Sequence, residues 1–259
     1  MSRVFLKKVA PAPSGAIRLF CLPYAGGSAA VYSNWPHLAP AWLQICPVEL
    51  PGRGWRRSEP LPTSLMTLAD SVANALLPYT FLPCALFGHS MGALLAYEVA
   101  LRLEAYSGPQ LCKVFASGSR PPFVPPKGPP ASHIPDPEFA EHLREMQGTP
   151  EEVLAHPELM ELLLPMLRSD FAMCEHYCAQ QAGRLRASLT ILSGQQDEEA
   201  TEKDMRSWRY LTSGRFNSST FPGSHFFLQE QELAVVHAVS ADLEHFTGPR
   251  ENIVKPAIQ

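Results

Sequence analysis

The pentapeptide Gly88-His89-Ser90-Met91-Gly92 follows an apolar strand-like run, Cys84 to Phe87, and opens a helix-like segment, Met91 to Tyr106. A strand that reverses into a helix within so few residues forces the central residue into a strained backbone conformation and crowds the positions on either side. Glycine at both flanks removes that crowding. The helix-like segment is apolar on nearly every face, through Leu94, Leu95, Tyr97, Val99, Leu101 and Leu103, and stops at Ser107-Gly108-Pro109. A helix apolar all round is a buried one. The positive end of its dipole points at Ser90, where an oxyanion forms during acyl transfer. Ser90 is therefore the candidate nucleophile, with a plain turn serine as the alternative.

Further apolar strand-like runs lie at Ile17 to Leu22, Leu43 to Leu50, Leu111 to Ser117, Leu189 to Ser193 and Phe216 to Phe221. Helical patterns at Ser64 to Leu77, Glu199 to Leu211 and Glu230 to Phe246 alternate with them. This alternation predicts an α/β protein with a mainly parallel sheet covered on both faces, whose site gathers at the carboxyl ends of the strands. The alternation is interrupted once. A proline-dense stretch, Pro121 to Pro137, precedes helical patterns over Asp136 to Met146 and Glu151 to about Ala179. The expected division is a core of residues 1–120 and 186–259 with a helical lid inserted at 121–185. Its Leu- and Met-rich helices are expected to line an acyl channel above Ser90, against the plainer reading of packing onto the core. The tail after Thr247 is expected to be mobile.

A serine hydroxyl needs a base to take its proton, and the base needs a third group to hold its tautomer. In the α/β-hydrolase arrangement these follow in the order serine, acid, histidine, each on a loop after a strand. Of nine histidines, His225 fits: it follows the last strand-like run through Pro222-Gly223-Ser224 and precedes the last helix. His89 should project away from the serine, because neighbours on an extended chain face opposite sides. Asp197 comes three residues after Gly194 and is the candidate acid, with Glu198 its competitor. Asp170 is expected to cap or pair within the lid, and Asp204 and Asp242 to be solvated. The oxyanion donors are expected to be the N–H groups of Met91 and of Ala25, the latter in the glycine-rich loop Leu22-Pro23-Tyr24-Ala25-Gly26-Gly27-Ser28.

The chain has 259 residues, 46% hydrophobic and 18% charged, with a formal charge of −4. That balance suits one globular unit and argues against general nucleic-acid binding. The first fifteen residues lack the apolar core of a secretory signal, and no run approaches the roughly 18 apolar residues of a membrane span. A soluble, cytoplasmic and monomeric protein is expected. The six cysteines read as free thiols, and Cys174-x-His176-x-Cys178 lacks a second ligand pair at zinc spacing, so neither metal nor cofactor is expected.

Several separated blocks resemble the type II thioesterases that accompany polyketide synthases and nonribosomal peptide synthetases. These are Leu22 to Gly27, Leu50-Pro51-Gly52-Arg53-Gly54, Phe87 to Gly92, Ser117 to Pro122, Leu164 to Asp170 and Phe221 to Leu228. The resemblance runs from about Leu19 to Phe246 and maps that family's nucleophile, acid and base onto Ser90, Asp197 and His225. It implies hydrolysis of acyl groups from the phosphopantetheine arm of acyl or peptidyl carrier proteins, to clear stalled or misloaded chains or to release product. In one departure, Glu198 and Glu199 follow Asp197 where the family often has proline. A generic carboxylic ester hydrolase on the same fold remains the alternative, since the triad alone does not separate thioesters from oxygen esters.

The lid segment is strongly acidic between Asp136 and Glu175, with only Arg144 and Arg168 as arginines. Carrier proteins of the implied kind are commonly acidic, which would direct docking to a basic site elsewhere. Arg53, Arg56 and Arg57 are candidates, as are Lys203, Arg206 and Arg209, although Arg53 can instead brace its Pro-Gly-Arg-Gly turn.

Overall fold

The computed structural model describes residues 5–7, 9, 11, 13, 15–179 and 182–247. Six strands form one parallel sheet: β1 (Ile17–Leu22), β2 (Leu43–Pro47), β3 (Cys84–His89), β4 (Leu111–Ser117), β5 (Ser188–Gly194) and β6 (Phe216–Phe221). Their order across the sheet is β2-β1-β3-β4-β5-β6. The strand β3 that leads to Ser90 is thus central, and β1 and β3 are buried along their whole length. Continuous apolar runs such as Cys84 to Phe87 are what a strand covered on both faces requires.

Helices cover both faces. On one lie α2 (Leu65–Leu76) and α3 (Met91–Ala105); on the other lie α1 (Trp35–Leu38) and α9 (Glu232–Leu243). Helix α2 starts because the Ser64 hydroxyl accepts the Thr67 N–H, and it buries Leu65, Leu68, Ala69, Val72, Ala73 and Leu76 at helical spacing. Helix α3 is buried from Met91 to Ala100, as its all-round apolar sequence requires. Its one buried charge, Glu98, is met by Arg102 and by the hydroxyl of Tyr177.

Between β4 and β5 the chain forms α4 (Asp136–Met146), α5 (Glu151–Leu154) and α6 (Pro157–His176). These share a small core of their own, built from Ala131, Phe139, Leu143, Leu154, Met160 and Leu167. After β5 come α7 (Glu202–Arg206) and, after β6, the short α8 (Phe227–Glu230).

Four expectations are corrected. The second strand ends at Pro47 rather than Leu50, because beyond it the Glu49 N–H turns to the Phe5 carbonyl. The helical pattern from Glu151 is broken at Ala155–His156, where Pro157 starts α6. The pattern from Glu199 becomes helix only at Glu202, because the N–H groups of Glu199 and Ala200 are taken by the Asp197 carboxylate. Asp242 is not a solvated helix carboxylate: it pairs with Lys113, only 1% exposed, and accepts from Asn217. The expectation about the tail after Thr247 falls outside the described residues. Among the described residues, no helix is long and apolar enough to cross a membrane.

Candidate active site

The serine turn is as tight as its sequence demands. Ser90 has φ 54° and ψ −119°, a conformation costly for a residue with a side chain. A β-carbon at Gly88 would lie 1.9 Å from the Gly92 carbonyl oxygen, and one at Gly92 would lie 2.2 Å from the Leu22 carbonyl oxygen. Only glycine lets β3 fold back onto α3 and lets the loop after β1 approach the start of that helix. The Ser90 N–H donates to the Ser117 carbonyl at 2.8 Å, which ties the turn to β4.

The loops after β5 and β6 are laced together. The Gln195 and Gln196 N–H groups donate to the carbonyls of Phe221 and Gly223, and the Gly223 N–H donates to the Gln196 side-chain oxygen at 2.8 Å. This lacing brings Asp197 and His225, 28 residues apart, into contact. His225 Nδ1 lies 3.0 Å from Asp197 Oδ2 and 3.1 Å from Oδ1, and His225 Nε2 lies 3.1 Å from Ser90 Oγ. With Nδ1–H donating to the carboxylate, Nε2 is free to accept the serine proton. Burial pulls the Asp197 carboxyl upward, but His225 and the Ala200 N–H outweigh it and hold the group below the usual carboxylate range. The acid stays ionised at neutral pH. Glu198, its competitor in the sequence, is exposed and does not meet the imidazole.

His89 turns away from the serine hydroxyl yet does not leave the site. It is fully buried, with Nδ1 2.9 Å from the Ser117 hydroxyl and its ring centroid 5.3 Å from that of His225. Burial, helped by repulsion from His225, pushes its pKa down to about 3, so it is neutral. Nothing in the local alternation of β3 signals that packing partner.

Ser90, Ala25 and His225 open into a cavity of about 300 Å³. The far wall comes from the segment between β4 and β5, including His142, Leu143 and Met146 of α4 and Leu167, Phe171 and Cys174 of α6. The Cys174 thiol is pushed up to about 12 by burial and by the charge of Asp170, so it is protonated and is not a rival nucleophile. Arg120 also lines the cavity, and its buried Nε has no partner among the described residues.

Two charged residues behave differently from their sequence expectation. Arg56 is 2% exposed, donates to Glu49 and Glu59, and stacks on Phe5, so it is not available to a docking partner. Arg53 and Asp170 are both buried and form a two-pronged ion pair across 117 residues of chain. Asp170 thus pairs with the core and not within its own segment. A signal was present: Met166, Leu167, Asp170 and Met173 form the buried stripe of α6, and a carboxylate in such a stripe needs a cation. Arg57, Lys203, Arg206 and Arg209 remain exposed, Arg206 pairing with Glu202.

A central parallel sheet with a serine on the turn after β3, and an acid and a histidine on the loops after β5 and β6, makes the fold that of an α/β-hydrolase. Within that class the chain belongs to the thioesterase family, whose domain model matches residues 17–243. Among its relatives, the linear gramicidin dehydrogenase LgrE of Brevibacillus parabrevis is 42% identical over 228 residues, covering 86% of this chain and 87% of that protein. Thioesterase PikA5 of Streptomyces venezuelae is 34% identical over 257 residues, covering 98% and 91%. The solved structure of the type II thioesterase BorB from the borrelidin biosynthetic cluster superposes with a TM-score of 0.83 at 35% identity, covering 95% of this chain and 99% of that one.

Proposed function

We propose that this chain is a type II serine thioesterase that hydrolyses acyl groups from the phosphopantetheine arm of acyl or peptidyl carrier proteins. In this reading it edits or releases chains in polyketide or nonribosomal peptide synthesis. The observation that carries the reading is the continuous contact Asp197–His225–Ser90 at the wall of an acyl-sized cavity. The family membership and the relatives' pathways support the thioester and the carrier as substrate.

In this reading one imidazole carries the proton through both half-reactions. His225 Nε2 takes the Ser90 proton as Oγ attacks the thioester carbonyl, and Asp197 steadies the imidazolium. The N–H groups of Met91, at the positive end of α3, and of Ala25 hold the oxyanion. The C–S bond breaks, the proton passes from His225 to the departing thiolate, and the acyl group remains on Ser90. His225 then deprotonates water, which attacks the acyl-enzyme; the bond between the acyl carbon and Ser90 Oγ breaks, His225 returns the proton to Oγ, and the acid is released. A thiolate leaves with less protonic help than an alkoxide, so substrate choice falls to the cavity and the partner surface.

Residues 121–185 act in this reading as a lid over a core of 1–120 and 186–259. A cavity of about 300 Å³ is at the small end for organic ligands and favours short to medium acyl groups. Nicotinamide chemistry, suggested by the name of one relative, finds no support after β1, where the turn reads Leu22-Pro23-Tyr24-Ala25-Gly26-Gly27 and not G-x-G-x-x-G.

Mass-spectrometric assay of a panel of acylated carrier proteins tests the proposal. Hydrolysis of the carrier thioester is expected to exceed that of a p-nitrophenyl ester of the same acyl group and to vanish in Ser90→Ala. A preference for the free ester would instead make the chain a general ester hydrolase.

A further inference from the structure

We infer that Asp170, backed by Arg53, is a positioning residue for the oxyanion-binding loop, so that helix α6 holds the turn containing Ala25 in its working conformation. The inference deepens the proposed function and rests on it, because the donor at Ala25 belongs to that reading.

Ala25 sits between two peptide planes, each fixed by one hydrogen bond. The preceding plane is held where the Tyr24 carbonyl accepts the Gly27 N–H at 2.9 Å. The following plane is held where the Gly26 N–H donates to Asp170 Oδ2 at 2.8 Å. That Tyr24–Gly27 bond, with φ 78° at Gly26, describes a type II turn with Gly26 at its third position. The Ala25–Gly26 peptide in the middle of such a turn makes no hydrogen bond to the turn itself, and turns of types I and II differ by its flip. Here the carboxylate of a residue 144 positions away selects one orientation.

Arg53 completes the device. Its Nη1 lies 2.6 Å from Asp170 Oδ2 and its Nη2 lies 2.8 Å from Oδ1, while Nη1 also donates to the Gly27 carbonyl at 3.0 Å. The guanidinium thus orients the carboxylate and binds the far end of the same turn. Leu167, one helical turn before Asp170, packs against Gly26 so closely that a β-carbon there would lie 2.4 Å from its Cδ2.

A buried ion pair is weak evidence for stability, since well-packed apolar residues in its place are often neutral or better. Its geometry serves a different purpose: a fixed, charged acceptor aimed at one loop N–H. Because Asp170 lies on α6, which also walls the cavity, displacement of that helix would release the Ala25–Gly26 peptide. The Ala25 N–H belongs to the preceding plane, so α6 acts on it through the shape of the turn: with α6 in place the peptide after Ala25 is pinned and the turn keeps one conformation.

The test measures Asp170→Asn, the paired change Arg53→Met with Asp170→Leu, and the wild type on a small acyl-N-acetylcysteamine thioester. Rates of Ser90 labelling by a fluorophosphonate are measured in parallel, because that attack also needs the oxyanion donors but no thioester. Asp170→Asn is expected to lower kcat and the labelling rate by about 10- to 100-fold with KM within about threefold. The paired change removes the unbalanced buried charge and is expected to restore the melting temperature but neither rate. Recovery of both rates together with stability would reduce the pair to a structural role and overturn the inference. So would rates within about twofold of wild type in either variant. Should Asp170→Asn not fold, the paired variant decides alone. If the wild type labels at Ser90 but cleaves no thioester, the proposed function fails while the labelling rates still judge the role of Asp170.

Discussion

Gly92, in the first turn of α3, stands directly against the carbonyl of Leu22, the last residue of β1: a β-carbon there would lie 2.2 Å from that oxygen. This contact sets the distance between the helix start that carries Met91 and the loop that carries Ala25, the two sides of the proposed oxyanion site. Backbone carbonyls do not yield as a flexible side chain would, so the space is not negotiable.

Gly92→Ala is accordingly expected to push the loop and the helix apart. A displacement of about 1 Å at a reacting centre costs on the order of 100-fold in rate. Initial rates should fall by at least that factor, and a variant retaining wild-type turnover would show that the two sides are not held by this contact.

Asp197, and not Glu198, is the carboxylate in contact with His225, and the proposed function gives it the role of acid. Asp197→Asn should lower kcat by about 10⁴-fold, because an amide holds the wrong imidazole tautomer. Glu198→Gln should remain within about twofold of wild type. Steady-state kinetics on the two variants, side by side, would expose any exchange of roles.

His89 makes a prediction about stability and pH. Its pKa is about 3 in the folded chain and near 6.5 when unfolded. Between those values the unfolded chain binds a proton that the folded chain refuses, so stability falls as pH drops from about 6.5 toward 3. The slope for this one group is about 1.4 kcal/mol per pH unit. Chemical denaturation of His89→Gln and wild type across pH 4 to 7 should therefore give a difference that shrinks on acidification. A constant difference would refute the buried neutral histidine.

Arg56 and Arg57 are adjacent in sequence and opposite in environment. Arg56→Glu removes the guanidinium that donates to the Glu49 carbonyl and the Glu59 carboxylate, buries an anion in its place, and should destabilise the fold by about 3–5 kcal/mol, read from denaturant midpoints. Arg57→Glu should leave stability within about 0.5 kcal/mol. Any effect of Arg57→Glu would then appear on carrier-bound substrate alone, and equal loss on a small thioester would argue against docking there.

The strands and the serine turn were legible because their determinants are local. Ile17 to Leu22 is apolar at every position but Arg18 since β1 is covered on both faces, and Gly88 and Gly92 are required by a turn that involves only neighbouring residues and one crossing loop. His225 was legible for a similar reason: it follows a strand through a short turn. The failures at helix starts, as at Glu199, came from backbone donors already committed to a side chain that periodicity does not register.

By itself the sequence determined the parallel α/β framework, the strained serine turn after β3 and the place of His225 after the last strand, since hydrophobic period, turn glycines and chain order act over a few residues. Tertiary structure alone decided that Asp197 and not Glu198 meets the imidazole, that Arg56 is buried beside an exposed neighbour, and that Asp170 reaches Arg53 and Gly26. Each of those outcomes depends on which charges and N–H groups from distant segments are left to satisfy one another once water is excluded. That pairing exists only after the sheet has brought the ends of its strands together.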